Sequence, residues 1–137
     1  MARITNNFPK IANGLRGKAS KIVEATAHNI ETGAKESMAE PKSGRMYGTH
    51  RASAPGEAPA IDTSQLVNSG LVEKQGDLSA IISFTAEGED GYPYSIMLEF
   101  GGGGPESPTQ SARPYLTPAV EAERRNFTEA MKRIFNL

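Results

Sequence analysis

Between Lys42 and Leu66 the chain sets a group of chemistry-bearing side chains among glycines and prolines, KSGRMYGTHRASAPGEAPAIDTSQL. Lys42, Arg45, His50 and Arg51 interleave with Tyr47 there. Such a set can contact phosphates or stack on bases. Arg and Tyr are equally the residues enriched in protein–protein interfaces. The formal net charge is −1 over 137 residues, so nothing draws the whole molecule toward nucleic acid or an anionic membrane, and a protein partner is the preferred reading. His50, Ser53 and Asp62 supply the residue types of a hydrolase triad, but Ser53 lacks the glycine-flanked setting of a nucleophile elbow. Glu87, Glu89 and Asp90 could face a cation, yet they lack EF-hand spacing and read as a solvated turn. Two histidines and no cysteine make a poor metal inventory. The run Gly101 to Gly104 meets Pro105 where a phosphate-binding loop needs its lysine. The sequence predicts no catalytic residue, no metal and no cofactor.

Connections longer than about 12–15 residues are uncommon inside compact domains and are usually functional or disordered. The stretch over about 41–61 is therefore read as an interaction loop, with a scaffold on either side to present it. Before it, Ile4, Phe8, Ile11, Leu15, Ala19, Ile22, Val23, Ala27, Ile30, Ala34 and Met38 recur at spacings of three and four. That is one apolar stripe along a helix over about 10–39, with Pro9 in its first turn and Pro41 at its end. Such a helix is roughly 45 Å long, more than a domain of this size can cover. It is either broken near Gly14, Gly17 or Gly33, or its stripe packs on neighbouring subunits; the second is preferred. After the loop, Asp62 is expected to cap a short helix, with Gln65 in the capping-box position. LVEKQ and LSAIISFTA flank Gly76–Asp77 as a hairpin with a two-residue turn. Leu78, Ala80, Ile82, Phe84 and Ala86 alternate with Ser79, Ile81, Ser83 and Thr85 as a half-buried strand does. Tyr94, Met97 and Leu98 fit one face of a short helix ending at Gly101. A Gly/Pro-rich loop covers about 101–114, and Pro118 opens a closing helix whose stripe is Val120, Phe127, Met131 and Ile134.

The expected fold is α+β: a long N-terminal helix and a C-terminal helix packed against a small antiparallel β-sheet, with a long extended loop after the first helix, in one domain over 1–137. The expected core is Leu66, Leu71, Ile82, Phe84, Leu98, Phe100, Tyr115, Leu116, Val120 and Phe127. The core is thin: Ile, Leu, Val and Phe make 25 of 137 residues, below the roughly 20% under which a chain of high net charge is read as disordered; with the charge near zero, disorder is not expected. Part of the stabilising burial is expected from other chains. Residues 1–60 carry net +4, residues 61–112 net −7 and residues 113–137 net +2. That alternation suits a contact between one subunit's acidic middle and a neighbour's basic end, which builds rings or filaments. No signal-peptide core and no membrane-spanning run are seen, so a soluble protein made and used in a cytosol is expected.

Three segments, SGRMYGTHRASAPGEAPAIDTSQLVNSG (43–70), YSIMLEFG (94–101) and ARPYLTPAVE (112–121), resemble in this order a family of tailed-phage neck proteins. These are the head–tail joining or tail-completion proteins of long-tailed, non-contractile phages. The shared pattern is G-R-x-Y running into A-S-A-P-G-E-A-P-A and D-T-x-x-L, then L-E-F-G, then A-R-P-[FY]-L-x-P-A. Met97 stands where many relatives carry an aromatic residue, and the link between L-E-F-G and A-R-P is longer here. The resemblance implies a non-enzymatic virion protein, assembled in the host cytoplasm, that forms a ring, commonly six-fold, in the neck. Its implied partners are copies of itself, a head connector or adaptor, and a tail terminator or tail tube. DNA would pass through the lumen without sequence-specific binding, and no membrane is involved. Within that frame Lys42, Arg45, Tyr47, His50, Arg51, Pro55 and Glu57 are expected to serve the contact with a neighbouring ring. Pro55 to Pro59 would stiffen the loop, Asp62 would cap a helix, and Arg113 would pair with Glu99 to hold the ends of the second loop. The alternative is a nucleic-acid-binding accessory protein that uses the basic 42–51 loop.

Overall fold

The computed structural model describes residues 1–102 and 110–135, so half of the Gly/Pro-rich loop expected over 101–114 lies outside the described residues. The chain is α+β, with a long N-terminal helix, a C-terminal helix and two small antiparallel sheets. Helix α1 runs Phe8–Ala39, with a proline in its first turn and an extended residue, Glu40, ahead of Pro41. It is a single unbroken helix of 32 residues, so Gly14, Gly17 and Gly33 do not interrupt it.

The stripe does two different things along that helix. Ala19, Ala27, Ile30, Ala34 and Met38 are buried, as the spacing predicts. Ile4, Phe8 and Ile11 instead stand in water, at 96%, 79% and 59% exposure. The N-terminal part of the stripe runs past the end of the domain and finds nothing to cover.

Helix α4, Leu116–Ile134, packs antiparallel on α1. Asn29 meets Glu123 near the middle, and Ala12 and Leu15 lie beside Met131 and Phe135 at the far end. Strands β3 (Gly70–Lys74) and β4 (Ala80–Phe84) form the expected hairpin and pack on α1. The loop between them is one residue longer than its Gly-Asp signal suggests, since Gln75 pairs with Ser79 and leaves Gly76, Asp77 and Leu78 outside the ladder. Leu78 is accordingly exposed, while Ala80, Ile82, Phe84 and Ala86 face inward in alternation.

Strands β1 (Met46–Tyr47) and β2 (His50–Arg51) make a second hairpin inside the long loop, where no strand is expected. Gly48, at φ +61°, takes the first central position of its turn, which only glycine occupies without strain. Helix α2, Gln65–Asn68, is one turn long. Its N-cap is Ser64, in a left-handed conformation and without a side-chain cap; Asp62 is exposed and does not cap it. Gln65 does not reach back either, and its Oε1 accepts a hydrogen bond from the Tyr94 hydroxyl at 3.2 Å. Helix α3 is Tyr94–Phe100.

The core joins α1, the β4 end and the start of α4: Ile30, Ala34, Met38, Leu66, Phe84, Ala86, Tyr115 and Ala119. Phe84 meets Tyr115 edge to face, with centroids 5.2 Å apart. Ile82, Leu98, Leu116 and Val120 are half-buried against this cluster, and Phe127 is half-buried too. Leu71 and Phe100, expected in the core, are exposed. Leu71 falls on the outward face of β3, opposite Ser83, and the reason for Phe100 lies in α3, described below. Among the described residues no helix is long and apolar enough to cross a membrane.

This packing predicts a sharp contrast between two phenylalanines. Phe84→Ala should lower the unfolding free energy by about 3–5 kcal/mol, read from the urea midpoint. In dilute protein Phe8→Ala should shift it by less than about 0.5 kcal/mol, because that ring is already in water.

Candidate partner-binding surface

The interaction loop is a folded object held from within. Ala54, Pro55, Gly56 and Glu57 form a turn closed by the Glu57 N–H on the Ala54 carbonyl at 3.1 Å. Proline at its second position and glycine at its third, with φ +85°, are what a type II turn requires. The turn aims the Glu57 carboxylate back across the loop. It accepts the Ser43 N–H at 3.1 Å, the Ala54 N–H at 2.8 Å and the Ser43 hydroxyl. The Ser43 hydroxyl first, then the Ala54 and Ser43 N–H groups, hold the Glu57 carboxyl down at about 2. Glu57 is therefore the clasp that closes the loop's base, and its oxygens are already occupied by the loop itself.

Lys42 also turns inward. Its Nζ donates to the Ser37 carbonyl at 2.7 Å, at the C-terminal end of α1, where a cation suits the helix dipole. Burial lowers its pKa, against the opposing pull of Glu57 and Glu40.

What remains for a partner is the β1–β2 tip. Arg45 lies over the Tyr47 ring, 5.3 Å from its centroid. Arg51 donates to the Gly44 carbonyl at 3.0 Å, and the ladder continues through Gly44 N–H to Ala52 O and Ala52 N–H to Arg45 O, both at 3.0 Å. Met46, Tyr47, Arg45 and Arg51 are exposed. The tip is thus a short, cross-braced hairpin that exposes two guanidinium groups, a tyrosine and a methionine, with Met46 and Arg51 paired on one face and Tyr47 on the other. His50 sits half-buried behind it, at the mouth of a cleft of about 450 Å³ that Ser53, Asp62 and Arg113 also line. Ser53 is buried, and its oxygens accept from Arg113 instead of facing His50 or Asp62.

Arg113 and Glu99 do not pair. The Arg113 Nε donates to Ser53 Oγ at 2.8 Å and to the Ser53 carbonyl at 3.3 Å. Its own N–H donates to the Leu98 carbonyl at 2.6 Å. Glu99, only 7% exposed, turns to the start of α4. Its Oε2 accepts the N–H groups of Tyr115 and Leu116 at 2.9 and 3.0 Å, and its Oε1 accepts that of Thr117 at 2.8 Å. The first N–H groups of a helix have no partner inside the helix, and the dipole favours an anion there. Glu99 supplies both needs from another helix. Burial pushes its carboxyl up, but the hydrogen bonds from Thr117, Leu116 and Tyr115 outweigh it and hold the carboxyl below its ordinary range. Burial, then the nearby Glu99 charge, pushes the Tyr115 hydroxyl up to about 12. The ends of the second loop are joined as expected, but through this cap and a Gly102–Gln110 bridge, not through an ion pair.

Capping α4 with Glu99 fixes how α3 is rolled. Ser95 and Glu99, four residues apart, face inward and are buried. Ile96 and Phe100 must then face outward, at 58% and 74% exposure. The spacing of Ser95 and Glu99 was the available signal for this inverted helix, though reading it requires knowing that a helix N-terminus waits beneath. Beside this face, the turn Glu87–Gly91 leaves Glu87, Glu89 and Asp90 exposed, and Asp90 accepts the Tyr92 N–H at 3.1 Å.

Comparison with known proteins finds no matching family model, no similar curated protein and no similar solved structure.

Both carboxylates have a depressed folded-state pKa, so each contributes stability that is present above the ordinary value of 4.5 and lost as pH falls below it. For Glu57 the loss continues down to about pH 2. Glu99→Gln, which sets an amide NH2 against backbone donors, should cost about 1–3 kcal/mol at neutral pH and flatten the acid limb of the stability curve. Glu57→Gln should lower the hydrogen-exchange protection factors of the Ser43 and Ala54 amides above pH 4.5, toward the protection the parent retains in acid.

Proposed function

We propose that this chain is a non-enzymatic structural subunit of a tailed-phage neck. In this reading it is one member of a homo-oligomeric ring, six-fold by resemblance, between a head connector and a tail terminator or tail tube. It is assembled in the host cytoplasm and kept in the virion, and DNA passes through its lumen without sequence-specific contact. One observation carries the reading. The three segments that bear the resemblance are far apart in sequence, yet hydrogen bonds tie them into one piece. Arg113 of the third segment holds Ser53 of the first. The Ala112 carbonyl accepts the Gly56 N–H at 3.0 Å. Glu99 of the second segment caps the helix that the third one opens. Residues with these mutual duties explain why the motifs occur together and in order. The first segment adds a braced hairpin tip carrying Arg45, Met46, Tyr47 and Arg51, which suits a protein partner.

Purified filled heads and tails of a phage that encodes this chain provide the test. Adding the protein should restore their joining, and the Arg45→Ala, Tyr47→Ala double variant should lose most of that activity while keeping the parent's melting temperature. If the parent restores no joining but binds duplex DNA with an affinity that falls steeply with salt and is lost in the double variant, the tip is a nucleic-acid contact and the neck reading fails.

A further inference from the structure

Two exposed apolar faces lie at opposite ends of this molecule, and their surroundings carry opposite charge. The first is the N-terminal arm, residues 1–11, where Ile4, Phe8 and Ile11 are exposed. The segment from Met1 to Val23 contains five Lys or Arg and no Asp or Glu. The second is the outer face of α3, with Tyr92, Ile96 and Phe100 exposed. No Lys or Arg occurs anywhere from Gln75 to Ala112, and Glu87, Glu89 and Asp90 stand in water beside this face.

We propose that the N-terminal arm of one copy docks on the α3 face of a second copy. An apolar face left open is a contact site more often than an accident of folding, and here both faces are produced by constraints within the chain. The arm is held out by a continuous helix. The α3 face is turned out by the Glu99 cap. Tyr94 and Leu98 of α3 line the same cleft as Met38, so α3 sits by the C-terminal end of α1. Phe8 and Met38 are about 45 Å apart along an unbroken helix at about 1.5 Å per residue. The arm therefore cannot fold back onto its own α3, and another molecule must supply the face it covers. Opposite charge selects the pairing: cationic arm on anionic face, with arm–arm and face–face contacts disfavoured by like charge. The two surfaces are different, so the contact is head-to-tail and propagates until it closes into a ring. This interface deepens the ring reading above and rests on its self-association, not on a place in the virion.

Two blocked variants test it, each confirmed as folded by circular dichroism. Phe8→Asp spoils the arm and leaves the face intact; Phe100→Asp does the reverse. By sedimentation the parent should form species of several chains, and each variant alone should be monomeric. Mixed, they should give a one-to-one dimer and nothing larger, because only one good arm and one good face remain. A parent that stays monomeric up to its solubility limit overturns the interface. So does a Phe100→Asp variant that assembles like the parent, including the case where only Phe8→Asp matters and two arms pair with each other. If the parent and both variants are multimeric alike, the ring reading stands and this interface alone falls. If the parent neither self-associates nor binds filled heads, both fall.

Discussion

The carboxylate of Glu99 against the first turn of α4 is the contact on which the rest of this structure turns. It meets two electrostatic demands at once: a buried anion needs donors, and a helix N-terminus has donors to spare. Because the anion comes from α3, satisfying both demands docks α3 against the start of α4. Tyr115 is brought beneath α3 in the process, its hydroxyl on the Ser95 carbonyl and its ring on Phe84. The same contact sets the roll of α3 and so places Ile96 and Phe100 in water. A polar interaction inside the fold thereby determines where the apolar surface lies outside it.

A second carboxylate, Glu57, plays the corresponding part in the long loop. It gathers the N–H groups of Ser43 and Ala54 and so gives a stretch with little secondary structure a fixed base. Arg113, by holding Ser53, fastens that base to the segment that leads into α4. The chain thus carries its scarce hydrophobic core along the C-terminal third of α1 and uses buried or half-buried polar contacts to fasten the loops and α3 around it. Such contacts hold geometry with few apolar residues, and they leave the remaining apolar residues, Phe8, Ile11, Ile96 and Phe100, at the surface.

The elements that were legible in the sequence are those with a period. The stripe from Ala19 to Met38 fixed α1, alternation from Ala80 to Ala86 fixed β4, and the Val120–Phe127–Met131–Ile134 stripe fixed α4. Even the surplus length of α1 could be read, because 32 residues of helix outrun so small a domain. Strands β1 and β2 could not be read, since two residues apiece carry no period. The loop's clasp was visible only as a Pro-Gly-Glu string, whose turn type makes sense once Ser43 is known to lie opposite. Asp62 followed the usual rule for a helix cap and was passed over for Ser64. Phe100 followed the usual rule for a large apolar residue and was turned out because its neighbour Glu99 had the stronger requirement. Arg113 and Glu99 are close in the fold and opposite in charge, yet each is better served by backbone and hydroxyl groups than by the other. The misreadings of Glu57, Phe100 and Arg113 share a cause: each position was settled by a partner distant in sequence.

The central claim is that apolar surface left open in the single chain is covered by other copies. Hydrogen–deuterium exchange, compared between dilute and concentrated protein, tests it most directly. The account predicts equal, strong protection over 19–38 in both states, with new protection on concentration confined to the first turns of α1 and to α3. Unchanged exchange in the first turns of α1 and in α3, in a sample whose mass has risen, would contradict it.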